Sequence, residues 1–160
     1  MPRINTPNSK HNGPAPLAGG HQYLPYTDAL FLTTLQSAIH IIDTRIYGDA
    51  RCDKAFKALP AGRTFAQIWM DISIWINFDP SRQYGDYGAK RGNDITITAF
   101  SLEMGRWTVA ATLIHELAHV NGAPGNTHQA EATLQNCLLP GLEDPTIIGK
   151  LLHSTNAGFA

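Results

Sequence analysis

The chain has 160 residues, a formal net charge of -1, 43% hydrophobic residues and 16% charged residues. This length is typical of one domain, and this composition is typical of a folded protein. The near-neutral charge gives no electrostatic case for nucleic acid or an anionic membrane, and no apolar run is long enough to span a bilayer. The two cysteines, Cys52 and Cys137, exclude a disulfide-rich scaffold. They either form one bridge or remain buried thiols.

Residues 1–26 are rich in Pro, Gly, Asn and His and show no hydrophobic periodicity. We expect a flexible leader or linker with His11 and His21 in solvent. The segment has no apolar stretch typical of a Sec signal peptide, which favours a chain that is cytoplasmic as synthesised. Export would then use a signal-independent secretion system. The folded domain is expected at residues 27–152, and a frayed tail at 153–160.

Three stretches before residue 70 are typical of helices. Residues 27–42 carry apolar side chains at helical spacing behind the capping residue Thr27, and residues 49–59 repeat such a pattern. A shorter helix is expected to begin at Thr64, because Gln67 follows three residues later and completes a capping box.

Alternating isoleucines predict two strands. Residues 72–78 alternate apolar and polar side chains, and residues 94–98 alternate in the same way, with Ile95 and Ile97 on one face. Thr96 and Thr98 lie on the other face. We expect the two strands to pair as an antiparallel hairpin across a long loop at residues 81–93. The fold class is therefore expected to be α+β, a single small domain that is mostly helical with a short antiparallel sheet.

Residues 106–121 predict the helix that carries the chemistry, with no proline, no internal glycine and Gly122 as its C-cap. The helix contains the HExxH motif His115-Glu116-Leu117-Ala118-His119. Positions i and i+4 share a helix face, so His115 and His119 would aim two imidazoles at one point. Glu116 borders the same point. Two histidines that bind zinc beside a glutamate that acts as general base have this arrangement.

The third ligand is expected on the next helix. Residues 122–126 predict a turn, after which Asn126 or Thr127 would cap a helix that runs to about residue 139. His128 and Glu131 are three residues apart and share a face of that helix. We favour His128 as the third ligand, because imidazole suits zinc and the reach from a short turn is small. Glu131 is the alternative. The residue that does not bind metal would support the site or carry protons.

HELAH on a helix resembles the zincin metallopeptidases, and HExxHxxG from His115 to Gly122 is similar to the start of the metzincin signature. The metzincin third histidine would fall at Gly125, which is a departure, whereas Glu131 in its Ala-Glu-Ala context resembles the gluzincins. The resemblance implies a Zn²⁺-dependent metallopeptidase. Such an enzyme hydrolyses a peptide or protein substrate with a zinc-activated water and Glu116 as general base. It also implies an edge strand above the metal cleft.

A small zincin domain behind a disordered leader also resembles the toxic domains of secreted bacterial effectors. That resemblance implies a larger delivery protein and an inhibitor or immunity protein as partners. The alternative from another class is a non-catalytic, zinc-stabilised binding domain, in which His128 and Glu131 together complete four ligands. Tyr84 and Tyr87 are weaker candidates for stabilising an oxyanion. A last short helix is expected from Pro145 to about Leu152.

Overall fold

The computed structural model of the protein describes residues 1–137. The expected last helix at 145–152 and the tail at 153–160 lie outside the described residues. Six helices and four strands are found within 1–137, and the expected α+β class is confirmed. In chain order they are β1 (Arg3–Ile4), α1 (Ala29–Arg45), α2 (Ala50–Lys57), α3 (Phe65–Trp69), β2 (Trp75–Asp79), β3 (Gly88–Arg91), β4 (Asp94–Thr98), α4 (Ala99–Met104), α5 (Arg106–Val120) and α6 (Gln129–Asn136).

The four strands form one mixed sheet in the order β1-β2-β4-β3. Strands β2 and β4 are the two predicted from alternation, but they pair in parallel, with Ile76 opposite Ile95. The prediction of an antiparallel hairpin between them was therefore wrong. The reason is β3, which lies within the stretch expected to be a loop. It pairs antiparallel with β4 across a tight turn at Gly92, whose φ is 61°, so β4 runs in the direction of β2.

Side chains cap the starts of α1 and α3 as expected, although the cap of α1 is one residue later than predicted. Asp28, rather than Thr27, caps α1, and its carboxylate accepts hydrogen bonds from the backbone N–H groups of Leu30 and Phe31. The capping box of α3 is confirmed, since Thr64 and Gln67 each bond the other's backbone N–H. These caps fix where α1 and α3 begin, because each satisfies amide groups that have no partner within the helix.

The two faces of the sheet have different neighbours. The alternating isoleucines enter the hydrophobic core beside the helices, and four of them are fully buried: Ile74, Ile76, Ile95 and Ile97. Ile72 precedes β2 and is 63% exposed. The polar residues on the opposite face, Asn77, Thr96 and Thr98, are also buried. Buried polar side chains need hydrogen-bond partners, and the N-terminal segment supplies several of them.

Residues 1–26, expected to be a flexible leader, pack against the sheet in this structure. Strand β1 pairs in parallel with the start of β2. Further along β2, Leu24 forms an antiparallel bridge with Phe78 through two backbone hydrogen bonds. Between these anchors, the carbonyl of Gln22 accepts a hydrogen bond of 2.8 Å from the Thr96 hydroxyl. The segment therefore covers the polar face of the sheet.

The expectation that His11 and His21 are solvated was wrong. The Nε2 atom of His11 lies 2.6 Å from Asp94 Oδ1, and its ring stacks on Trp75 at 4.1 Å between centroids. The Nδ1 atom of His21 lies 2.9 Å from Asp79 Oδ2. Composition predicted disorder because this segment lacks apolar periodicity. Its folding instead depends on polar partners that the strands present.

The two cysteines form a disulfide between Cys52 of α2 and Cys137, the residue that follows α6. Of the two alternatives drawn from the sequence, the structure therefore shows the bridge. The bridge links the C-terminal end of α6 covalently to α2. In the part of the chain that the structure describes, no helix is long and apolar enough to cross a membrane.

Candidate metal centre

The HExxH motif lies on α5, as expected, and α5 is the most deeply buried helix of the described domain. Every residue from Thr108 to His119 is buried, and the helix packs against α1, α4, α6, β3 and β4. Its start uses Gly105, which has a φ of 103° and provides no side-chain cap. A helix surrounded in this way holds its side chains in fixed positions, so the motif is rigidly placed.

The two motif histidines converge. Their Nε2 atoms lie 3.1 Å apart, and the side chains are 0% and 5% exposed for His115 and His119. Zinc binds histidine nitrogen at about 2.0–2.1 Å, so two nitrogens on one tetrahedral ion lie roughly 3.3 Å apart. The observed separation is close to that value. The pair therefore has the spacing that a shared metal ion requires.

The end of α5 sets the ring orientation of His119. Gly122 has a φ of 96°, and its N–H bonds the carbonyl of His119 while the N–H of Ala123 reaches the carbonyl of Ala118. These two bonds are the Schellman motif, which reverses the chain at a glycine. The reversal brings the Ala123 carbonyl oxygen to 2.7 Å from His119 Nδ1. A carbonyl only accepts, so Nδ1 carries the proton and Nε2 keeps the lone pair that binds metals.

Burial keeps both imidazoles neutral. Burial, with a smaller contribution from the nearby His119, lowers the pKa of His115 to about 3. Burial is also the largest influence on His119 and lowers its pKa, against the Ala123 carbonyl and the Glu131 charge, which raise it. A neutral imidazole is the form that ligates a metal. The donor chemistry of the pair therefore fits zinc.

Glu116 is the least satisfied polar side chain of the site. It is 1% exposed, and neither carboxylate oxygen has a hydrogen-bond partner among residues 1–137. Burial raises the pKa of Glu116 to about 8, with Lys90 opposing and with Asp86 and Glu131 adding to the rise. Burying a carboxylate without a partner is costly. Groups placed in this way are concentrated at functional sites.

The structure separates the two candidates for the third ligand. His128 is exposed and is the N-cap residue of α6. Glu131 is half-buried one turn further on, and its Oε2 atom is buried without a hydrogen-bond partner in the described part of the chain. Its charge raises the pKa of both His119 and Glu116, so it lies on the motif side of α6. This placement favours the alternative, Glu131, over the preferred His128.

The described residues bring two candidate metal ligands together, and neither candidate for a third ligand joins them. Within residues 1–137, no group of three or more His, Cys, Asp or Glu side chains is arranged to hold a metal ion. The converged pair is His115 and His119, and α6 packs directly on α5 with Glu131 facing it. If Glu131 is the third ligand, its carboxylate must approach the two imidazoles.

Two further residues beside the motif were missed in the sequence. Lys90 of β3 lowers the pKa of Glu116, and Tyr23 of the N-terminal segment has its own pKa raised to about 12 by burial and by the Glu116 charge. The sequence held one usable signal, because Gly88–Arg91 precedes a Gly-Asn turn and a strand, which is typical of a hairpin. Nothing in the pattern around Tyr23 indicated a role.

The tyrosines that were proposed as oxyanion donors pack elsewhere. The ring centroids of Tyr84 and Tyr87 lie 5.6 and 5.4 Å from that of Phe100, on α4. Tyr84 is 76% exposed, whereas Tyr87 is 2% exposed. Both therefore have a packing role against α4 that needs no catalytic explanation.

Comparison of the chain with protein-family models, with curated proteins and with solved structures finds no match. The role of this site must therefore be inferred from its own side chains. Those side chains are two neutral imidazoles at metal-binding separation, a buried carboxylate without a partner, and a second carboxylate on the neighbouring helix. Together they are a candidate centre for metal-assisted hydrolysis.

Proposed function

We propose that the protein is a zinc-dependent metallopeptidase. The observation that carries the proposal is Glu116, a buried carboxylate without a partner in the described residues, one position after a converged histidine ligand. A zinc site that only stabilises a fold needs closed coordination by four protein ligands and has no use for an unsatisfied carboxylate beside it. A hydrolytic site needs a carboxylate that accepts a proton.

His115, His119 and Glu131 would hold the metal. The donor set of two imidazoles and a carboxylate is one that catalytic zinc uses, and it leaves one coordination position for water or substrate. When bound, zinc lowers the pKa of water and polarises a carbonyl group. The backbone of Ala123 supports the set, because its carbonyl holds His119 in the ligating tautomer.

Glu116 acts as general base and then as general acid. Burial alone would keep Glu116 protonated near neutral pH, but a bound zinc ion beside it would favour the charged form. Its carboxylate oxygens could then accept the proton of an attacking water, since no described side chain competes for them. The same oxygen then returns the proton to the leaving amine. The near-complete burial of Glu116 excludes bulk water, which strengthens each electrostatic interaction within the site.

Strand β3 offers a place for an extended peptide. It is an edge strand of the sheet, with β4 as its only neighbour among the described strands. It packs beside α5, and a Cβ built on Gly88 would lie 2.9 Å from Thr112 Cγ2. An extended chain can pair with such an edge through backbone hydrogen bonds, which would bring its amide groups alongside the motif. An edge strand beside the motif helix is also what the zincin resemblance implies.

The experiment that tests the proposal combines metal analysis with a broad peptide library. Purified protein should carry about one zinc per chain. Mass spectrometry of the digested library should show cleavage that a chelator abolishes and added zinc restores. Protein that cannot be loaded with zinc would contradict the proposal. Zinc bound by four protein ligands, with every library peptide intact, would instead indicate a non-catalytic binding domain.

A further inference from the structure

A cavity of about 250 Å³ lies at the edge of the sheet beside β3, between that strand and the N-terminal segment. Three consecutive residues of the strand line it, together with four residues of the segment: Ala89, Lys90 and Arg91, with Leu17, Gly20, His21 and Tyr23. Its volume is below the range of about 300–1,000 Å³ that drug-sized ligands occupy. It therefore suits one residue of a substrate rather than a long segment.

The register of β3 against α5 places Lys90 next to the motif. Gly88 faces Thr112 of α5, and alternate strand residues share a face, so Lys90 is on the same side. Lys90 therefore extends from the α5 side of the strand. The charge of Lys90 accordingly lowers the pKa of both Glu116 and His119.

The cations of the cavity form no ion pair in the described part of the chain. Within residues 1–137, neither Lys90 nor Arg91 lies within ion-pair distance of an acidic side chain. Arg91 donates one hydrogen bond of 2.6 Å, to the carbonyl oxygen of Ala15, which is uncharged. Consecutive strand residues point to opposite faces, so the two cations reach the cavity from the two sides of the strand. Two unpaired cations on neighbouring residues favour an anion between them.

Two other residues complete the wall without cancelling this charge. Tyr23 stays protonated at physiological pH, because burial raises its pKa to about 12, and its hydroxyl can donate a hydrogen bond. His21 has its ring nitrogens directed at carboxylates, with Nδ1 at 2.9 Å from Asp79 and Nε2 at 3.6 Å from Asp86. His21 therefore fixes the segment in place and leaves anion binding to Lys90 and Arg91.

We propose that the cavity lined by Lys90, Arg91 and Tyr23 binds a carboxylate group of the substrate about one residue from the scissile bond. This inference rests on the peptidase function proposed above. An arginine fork and a lysine ammonium are the side chains that recognise carboxylates most strongly. The carboxylate can belong to a free C-terminus or to an acidic side chain, which makes the protein either a carboxypeptidase or an endopeptidase selective for Asp and Glu.

Binding to the zinc-loaded Glu116→Gln protein, measured by isothermal titration calorimetry, separates these sources. The probes are N-acetylated peptides of alanine and leucine with a free C-terminus, the same peptides amidated, and amidated peptides with one internal glutamate. Either carboxylate should tighten binding at least about tenfold over the neutral amidated peptide, as expected for a charge-assisted bond. The favoured peptide identifies the source. Equal binding of all three, or no binding at millimolar concentration, overturns the inference.

Substitutions in the same background assign the effect to the cavity. Lys90→Met keeps the stem and removes the charge, so it should abolish most of the carboxylate preference while binding of the amidated peptide stays unchanged. Lys90→Arg should restore the preference. Lys57→Met, at an exposed position of α2, is the matched control and should change nothing. A Lys90→Met protein with the original preference and an unchanged melting temperature overturns the inference.

The subsite and the peptidase function fail in different ways. A wild-type protein that cleaves peptides without regard to carboxylates contradicts the subsite and leaves the hydrolytic function standing. A wild-type protein that cleaves none, while Lys90-dependent carboxylate binding persists, contradicts the peptidase function and retains the anion site.

Discussion

His119 Nδ1 and the carbonyl oxygen of Ala123 are hydrogen-bonded at 2.7 Å, four residues apart along the chain. The bond exists because Gly122 turns the chain back onto the last turn of α5 with a φ of 96°. A single glycine at the helix end thus determines which nitrogen of His119 keeps its lone pair. The orientation of this imidazole therefore depends on a residue outside the motif.

Gly122→Ala should lose both stability and zinc affinity. The positive φ strains any residue with a Cβ, and that Cβ would lie 3.1 Å from Pro60 Cβ. We expect the free energy of unfolding to fall by about 1–3 kcal/mol and zinc affinity to fall by about tenfold or more, as for other residues that orient a ligand. Denaturant titration and competition with a chelating dye measure the two quantities.

Gly48→Ala is the control for Gly122→Ala. Gly48 has a φ of 87°, with open space where a Cβ would be, so the variant carries the backbone strain at a turn that has no described contact with residues 119–123. It should lose stability and keep wild-type zinc affinity. If both variants lose affinity equally, strain in general, rather than the orientation of His119, sets metal binding.

Glu131→Ala should reduce zinc affinity far more than His128→Ala does. Glu131 has a buried oxygen without a described partner and influences His119, whereas His128 is exposed at the start of α6. Loss of one of three protein ligands should lower affinity by at least about a hundredfold, the upper end of what loss of a supporting residue alone costs. The dye competition assay ranks the variants. The reverse order would restore His128 as third ligand, and no effect in either would place that ligand on another element.

Glu116→Gln separates catalysis from metal binding. The amide keeps the size of the side chain and removes the basic oxygen, so zinc content and melting temperature should stay near wild type. Peptide cleavage should fall by at least about a hundredfold, the lower end for a positioned general base. His115→Ala is the contrast, since removal of a ligand should lower zinc content and stability together. Full activity with glutamine at position 116 would exclude the proposed mechanism.

The pairing of His21 with Asp79 should make attachment of the N-terminal segment depend on pH. The hydrogen bond to Asp79 raises the pKa of His21, although burial opposes the rise. Burial raises the pKa of Asp79, but hydrogen bonds from His21 and from the backbone N–H groups of Ser81 and Gln22 together lower it below its usual value. The pair therefore contributes its full stabilisation between the pKa of Asp in the unfolded chain, about 3.9, and the pKa of His in the unfolded chain, about 6.5. Its contribution is lost as pH rises through the folded pKa of His21.

Comparison of wild type with His21→Gln tests that window. The destabilisation of the variant should be largest near pH 5 to 6, at about 1 kcal/mol for a partly exposed charged hydrogen bond, and should shrink by pH 9. Denaturant titrations across this range measure it, and hydrogen exchange of residues 6–23 reports detachment directly. A difference that stays constant with pH would show that the imidazole acts by packing alone.

The site helix was predictable because its signals are local. The spacing of His115 and His119, the absence of proline and glycine from residues 106–121, and Gly122 at the end all act within one helix, and the structure has α5 at Arg106–Val120. The isoleucine alternation was predictable for the same reason. Both patterns report which face of an element enters the hydrophobic core, and Ile74, Ile76, Ile95 and Ile97 do so, whereas Ile72 is exposed. Neither pattern indicated that the polar face opposite the isoleucines is buried as well.

The sheet pairing and the N-terminal segment were not predictable because they depend on distant partners. Alternation in residues 72–78 and 94–98 predicts which face of each strand is buried but not the direction in which the strand runs. The direction of β4 depends on its pairing with the short β3. The segment that covers the sheet has no periodicity of its own. Its order comes from side chains such as Asp94 and Thr96, about 70 residues or more further along the chain. The choice between His128 and Glu131 stays a prediction for a related reason, since reach along the chain does not reveal which side chain of α6 faces α5.

The Cys52–Cys137 bridge would make the proposed metal centre responsive to the redox state around it. It closes a covalent loop across a sequence separation of 85 and anchors the end of α6, the helix that carries Glu131. In the chain-entropy account, such a loop adds roughly 4 kcal/mol to stability. Reduction would release α6 while leaving His115 and His119 on the buried α5. Cytosolic glutathione and thioredoxin keep thiols reduced, so the covalent anchor of α6 would persist only in an oxidising compartment. One disulfide would thus restrict hydrolysis to the place where the bond survives.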